Sequence, residues 1–320
     1  MVWEYARQLV KKHDVTVMGH TGSQFPEGVK TLPVDTPQIG TDDVFCEVKQ
    51  FQSYQYLIRT FDVIHDWSHL HLASRNMPNL PSLSLFFHAP ALAQYPKAPY
   101  NIIAFTEWAA REFKRVYHQE AKYQQSIGID TEVYKLPKGN RGDRFLTIGR
   151  MAPEKGNLQA IYLCRPEGLP LDVVGGRGRE LTPDIPLTDY ENDIQKLCDG
   201  KQIKFWGEVD EERKVKLMQR CRALLYATSH PEVTSHKVQE CLFCGAPVIV
   251  PAIGALHEIV TDGVNGFLCH RADGYFTAMK NLDKLEPQKA YPALVDKYDI
   301  KNVVARYIPL YTEVANGLRW

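Results

Sequence analysis

Short runs of aliphatic, β-branched or aromatic residues alternate along the chain with longer segments whose apolar positions recur every three or four residues. That is the pattern of strands interleaved with amphipathic helices. The runs "VTVMG", "VKTLPV", "FDVIH", "SLSLFFH", "NIIAF" and "YQQSIG" predict strands in the first part of the chain. In the second part "RFLTIG", "LDVVG", "QIKFW", "ALLYATS", "APVIVP" and "GFLC" predict strands. Helices are predicted near 2–12, 42–59, 106–118, 157–164, 188–199, 210–221, 235–243 and 254–261. Strands that are apolar almost throughout, alternating with helices, predict parallel sheets covered on both faces. So many strands exceed one ordinary sheet, and the polar, Pro/Gly-bearing stretch "KLPKGNRGD" at 135–143 separates the two sets. The expected fold is α/β: two Rossmann-like, doubly wound domains, 1–137 and 138–320, facing each other across a cleft. Ligands of such sheets bind beyond the carboxyl ends of the strands, so the loops there are where chemistry is to be sought.

Composition narrows the function classes without naming one. The 320 residues are 44% hydrophobic and 24% charged, an ordinary globular balance. Lys+Arg and Asp+Glu are both 38, so no net charge draws the molecule to nucleic acid or to an anionic membrane. The first residues, "MVWEYARQLVKKHD", mix charged and apolar positions at helical spacing and do not form a signal peptide. No run approaches the roughly 18–20 apolar residues of a membrane span. Seven scattered cysteines point to reduced thiols and a cytoplasmic address. No internal repeat or low-complexity tract is present.

The second half carries the candidate chemistry. In "RFLTIGRMAPEKGNLQAI" a strand leads through a loop with Arg150 and Lys155 to a helix, with Gly149 and Gly156 beside the cations. Two cations and nearby backbone amides at a strand-to-helix junction suit an anion such as a diphosphate, although a solvated loop has the same composition. Downstream, "HPEVTSHKVQECLFCGAP" places Glu232 on a loop after a strand, and Thr234 or Ser235 at the start of a helix that ends at Gly245. Glu240 falls inside that helix between Val238 and Cys241, where a buried carboxylate needs a partner. A ribose diol would satisfy Glu240, and sugar hydroxyls or loop amides would satisfy Glu232.

In order, "GRMAPEKG", "LDVVGG", "IKFWGEVDEERKVKLMQRCRALLYAT" and "PEVTSHKVQECLFCGAPVIVPAIGALHEIVTDGVNGF" resemble the retaining nucleotide-sugar glycosyltransferases of family 4, which have the GT-B fold. In the first half "DVIHDWSH", "SLFFHAP", "FTEWAAREF" and "IGIDTEVYKLP" are similar to the family's acceptor domain and linker. The resemblance implies a metal-independent transferase without cofactor. It would move a sugar from a nucleoside-diphosphate donor to a glycan, lipid or small-molecule acceptor. It gives Arg150 and Lys155 the diphosphate, Glu240 the ribose, and Glu232 with the amides from Val233 through Thr234 and Ser235 to His236 the transferred sugar. Trp206 to Val209 would line the base pocket, and His88 would lie near the sugar. A last helix at about 299–318 would cross back to the first domain. No nucleic-acid partner is implied, peripheral membrane contact is compatible, and the oligomeric state stays open.

Two departures accompany the resemblance. Family members usually begin with a strand and a glycine-rich loop ahead of the helix that matches "MVWEYARQLVKK". The loop after the first glutamate usually carries Phe-Gly where Thr234 and Ser235 stand here. A non-catalytic sugar-nucleotide-binding protein is therefore one alternative, and an epimerase on the same fold a lesser one. Another is a metal-dependent hydrolase built on His65, His69 and His71 in "HDWSHLH", although those spacings fit no common zinc pattern and a strand end and helix start with satisfied histidines is the favoured reading. "CLFC" is expected in the core, "GGRGRE" is a weak phosphate-loop signal, and Asp210 is expected to cap a helix start in "DEERKVK".

Overall fold

The computed structural model describes residues 1–34, 44–77, 79–125, 127–176 and 189–320, except 87–99, with the side chains of 44–46 and 86 also left aside. By its internal contacts the chain forms two compact units, Met1–Gly128 with Lys297–Trp320, and Ile129–Asp296. The division after Gly128 precedes the polar stretch at 135–143, and the final segment belongs with the first unit.

In the first unit β1 (Thr16–His20) and β2 (Lys30–Val34) form a parallel pair, and β3 (Ile64–Asp66), β4 (Ser82–Phe86), β5 (Ile102–Ala104) and β6 (Lys122–Tyr123) form a parallel sheet in chain order. Helix α1 (Val2–Leu9) precedes β1, and α2 (Val44–Tyr54), α3 (Leu72–Asn76) and α4 (Glu107–Tyr117) lie between these strands along the chain. Thr106 starts α4 by accepting from the Ala109 amide at 3.2 Å. The expected strand "YQQSIG" is only two residues long here. Just past it the Gln125 side-chain amide donates to the Ile127 carbonyl at 2.8 Å.

Among its described residues the second unit holds one six-stranded sheet: β7 (Phe145–Ile148), β8 (Leu171–Val174), β9 (Ile203–Gly207), β10 (Leu224–Leu225), β11 (Val248–Pro251) and β12 (Gly266–Cys269). All are parallel, in the order β12-β11-β10-β7-β8-β9. The winding starts at β7, runs outward through β8 and β9, and returns to the other side of β7 as β10. The switch point between β7 and β10 is where loops diverge and a crevice opens for a ligand. Connecting helices are α5 (Asn157–Cys164), α6 (Asp189–Leu197), α7 (Glu211–Arg220), α8 (His236–Phe243), α9 (Leu256–Ile259), α10 (Ala272–Lys280) and α11 (Pro287–Tyr298). Phe145, Leu146, Leu171, Val173, Leu224, Leu225, Ile249 and Val250 are fully buried, which is why these strands read as unbroken apolar runs. Asp210 caps α7 as expected, accepting from the Arg213 amide at 2.7 Å.

The last helix, α12 (Ile300–Ala315), buries Val303, Tyr307, Leu310 and Val314. Its Tyr311 hydroxyl bonds His65 Nδ1 at 2.8 Å, and the Trp320 indole N–H donates to the Ile102 carbonyl at 3.0 Å. His65 stacks on Tyr307 and meets Tyr5 edge-on. Burial pushes its imidazole down to about 3, so it is a neutral core residue. Among the described residues no three His, Cys, Asp or Glu side chains are grouped as a metal ion would require, and His65 serves the packing of α12.

Candidate functional site

The site forms on the second unit where the loops after β7 and β10 meet. Leaving β7, the chain passes Gly149 and Arg150, makes a single 3-10 turn at Pro153–Lys155 and enters α5 through Gly156. Gly156 has φ +75°, and a methyl group there would overlap the Ala227 carbonyl of the β10 loop. Only glycine permits so close a meeting of two backbones. The loops are then joined through one carbonyl oxygen, that of Glu154, which accepts from the Thr228 hydroxyl at 2.7 Å and the Ser229 amide at 3.1 Å. A third loop, after β11, holds Glu232 from behind. The Ala255 amide donates to the Glu232 carbonyl at 2.9 Å, and a methyl on Gly254 would lie 2.6 Å from the Glu232 backbone.

This meshing brings Lys155 and Glu232 together across 77 residues of sequence, with Nζ donating to Oε1 at 2.8 Å and both side chains 15% exposed. The Tyr226 hydroxyl, at the end of β10, donates to the same oxygen. Burial opposes the Glu232 charge, but Lys155 and the Tyr226 hydrogen bond outweigh it and hold the carboxyl below its ordinary range. Arg150 stays 59% exposed, 3.6 Å from Glu154.

Helix α8 starts beside this pair. Ser235 occupies the N-cap position but its side chain makes no capping bond, which leaves the first-turn amides of His236 and Lys237 without a side-chain cap among the described residues. The Thr234 hydroxyl is buried and without a partner among the described residues. Val233 and His236 are half-buried on either side. Just over one turn into the helix, Glu240 accepts from the Tyr134 hydroxyl at 2.8 Å and from Lys214 at 3.2 Å. Lys214 also pairs with Glu211 at 2.9 Å, and Tyr134 donates to Glu211 as well. Burial disfavours the Lys214 charge, yet Glu240 and Glu211 raise its pKa overall. The partner required by a carboxylate in this helix is thus a Tyr–Lys pair supplied by the linker and α7.

The family of glycosyl transferases group 1 matches residues 129–299, more than half of the chain. The chain belongs to this family.

Solved glycosyltransferase structures share its fold over nearly the whole length. A glycosyltransferase involved in avilamycin A biosynthesis superposes with TM-score 0.73 at 20% identity, covering 99% of this chain and 89% of its own. Anabaena HepE, solved in complex with UDP and glucose, gives 0.73 at 16%, covering 99% and 95%. Sucrose-phosphate synthase from Thermosynechococcus elongatus gives 0.78 at 15%, covering 98% and 93%. The GT-B expectation holds for the fold. No curated protein matches the chain in sequence.

Within this group 1 family member, Gly149, Arg150, Lys155, Glu232, Thr234, Ser235, His236 and Glu240 all fall on the loops and helix at the switch point, with Val233 between them. Trp206 lies apart from these loops along the chain, on β9. The β8–β9 register shifts between Val173 and Val174, leaving Trp206 as the extra residue on an edge strand. Its indole N–H donates to Asp172 at 3.0 Å, and Arg213 covers its ring at 4.4 Å. Val209 follows, half-buried between the exposed Glu208 and Asp210 before α7. His88 and the end of "GGRGRE" lie outside the described residues. Cys241 in α8 and Cys244 at its C-cap are fully buried, and burial pushes the Cys244 thiol up to about 12. Sequence reasoning missed Lys237, Lys214, Tyr226 and Tyr134. A lysine one position past the helix start was the one local signal that pointed to any of them.

Proposed function

We propose that the protein is a retaining glycosyltransferase of family 4 that moves a sugar from a nucleoside-diphosphate donor to an acceptor hydroxyl without a metal ion. The observation that carries this reading is the joined Lys155–Glu232 pair at the sheet's switch point beside an uncapped helix start. Arg150, Lys155 and the first-turn amides of α8 take the diphosphate and stabilise it as the bond to the sugar breaks, the task a metal performs elsewhere. Electrostatic help of this kind is worth roughly 3–4 kcal/mol per well-placed donor. Glu232, the buried Thr234 hydroxyl and the Val233–His236 backbone orient the sugar, with His88 on the acceptor side. Glu240, fixed by Tyr134 and Lys214, grips the ribose, and the segment Trp206–Val209 borders the base. The UDP and UDP-glucose named for the Anabaena structures support a donor of this class. A cytoplasmic address is supported by six cysteines that are free among the described residues. No helix there is long and apolar enough to cross a membrane.

The test is a thermal-shift series with UDP, GDP, ADP and TDP, with and without chelator, followed by transfer from the matching sugar donor. A nucleotide at 100-fold over its Kd adds about 2.7 kcal/mol of stability. A chelator-independent rise with one diphosphate, and a product with the donor's anomeric configuration, is the expected outcome. No response to any of the four refutes the donor site. An inverted product refutes retention, and an Arg150→Ala variant with full transfer rate refutes the diphosphate assignment.

A further inference from the structure

Resting on the reading of this site as a donor site, we propose that Lys237 is the principal diphosphate-binding cation of the cluster, and that Lys155 chiefly holds Glu232. Three cations meet at the end of β7, and their surroundings differ. Lys155 is committed to Glu232, whose second tie is Tyr226. Arg150 is a mostly exposed side chain facing Glu154 at 3.6 Å. Lys237, the second residue of α8, projects back over the turn after β7, so that a methyl on Gly149 would lie 2.9 Å from its Nζ. Its ammonium rests 4.9 Å from the centre of the Tyr226 ring and makes no ion pair within 4 Å among the described residues. A cation held by an aromatic face keeps its hydrogen-bond donors for an incoming anion. It stands where the glycine turn, with no side chain in the way, lets a phosphate approach both the backbone and the helix start.

The charges facing Lys237 come from three elements: Arg150 and Lys155 from the β7 loop, Glu232 from the β10 loop, and Glu240 from α8 itself. Burial pushes the ammonium down to about 8, with Lys155 and Arg150 adding to the fall against the pull of Glu232 and Glu240. A group that titrates there binds an anion best while protonated, so diphosphate affinity falls as pH rises through about 8. Arginine at this position stays charged over the whole range.

The experiment is calorimetric titration of the full chain with the diphosphate that stabilises it, with the matching monophosphate and with the nucleoside, at pH 7 and pH 9. Wild type, Lys237→Met and Lys237→Arg are compared, with melting curves to verify folding. Lys237→Met is expected to weaken diphosphate binding about tenfold or more at pH 7 while leaving the nucleoside unchanged. It is also expected to remove the drop between pH 7 and 9, whereas Lys237→Arg keeps the affinity and loses the drop. Wild-type diphosphate affinity in folded Lys237→Met overturns the proposal, as does an unchanged pH dependence in Lys237→Arg. If wild type binds none of the four diphosphates, the donor-site reading falls first. The two failures are thereby distinguished.

Discussion

Gly156→Ala adds a single methyl group at the point where the β7 and β10 loops touch, and its cost can be worked from the geometry. The residue has φ +75°, where an L-residue pays roughly 1–2 kcal/mol. The new Cβ overlaps the Ala227 carbonyl, so the loops must part. Parting them breaks the bonds from the Thr228 hydroxyl and the Ser229 amide to the Glu154 carbonyl, at about 1 kcal/mol each. The sum is roughly 3–4 kcal/mol, which in a unit of this size lowers the melting temperature by roughly 10 °C. Gly168 provides the control: its φ is +66°, but nothing lies within 4 Å of an added Cβ. Gly168→Ala therefore carries the backbone term alone, about 1–2 kcal/mol. Urea unfolding of both variants, followed by tryptophan fluorescence, measures the difference. Equal losses in the two variants would refute the claim that the loops are locked by contact at Gly156. Diphosphate affinity should follow the same order, because Lys155 immediately precedes the altered residue.

Lys214→Met leaves Glu240 with one partner instead of two, and since both side chains are partly exposed the expected loss is about 2 kcal/mol by chemical denaturation. Tyr134→Phe in that background should cost more than it does alone, because the tyrosine is then the remaining donor to Glu240, and additive losses would argue against a shared network. In the first unit, His65 has a folded pKa near 3, below its unfolded value, so its neutral burial weighs increasingly against folding as pH falls below about 6.5. Asp66, raised to about 6 by burial, works in the opposite direction between about 6 and 4. The stability of His65→Phe relative to wild type should therefore improve by roughly 1.4 kcal/mol per pH unit on acidification from pH 6 to 4. A pH-independent difference would show that the histidine is not buried neutral.

Much of this was legible in the chain because the informative signals are local. The strands of the second unit are buried on both faces and so announce themselves as apolar runs. The positions of Arg150, Lys155, Glu232 and Glu240 follow from strand ends and a helix start that span only a few residues. What escaped are partners brought together from afar. Tyr134 reaches Glu240 across 106 residues and Lys214 across 26, and neither carries a motif of its own. The bulge at Trp206 escaped as well, since alternation along β9 gives no warning of the register shift or of the indole's bond to Asp172. Helix α10 contains Gly274 and α11 contains Pro292, residues that argue against helix by propensity, and packing overrides them.

The single oxygen of Glu154 that ties two loops together has a consequence for how this protein's specificity can change. Under the proposed function the β7 loop carries two of the phosphate-facing cations and the β10 loop the sugar-facing carboxylate, so an insertion or deletion in either would displace both. Phosphate recognition and sugar recognition are therefore not independent traits here. A variant selected for a different sugar through loop length would lose its hold on the leaving group at the same time. Tolerated changes of substrate must arise from side chains exchanged on an unaltered backbone, Thr234 foremost, or from segments outside the knot.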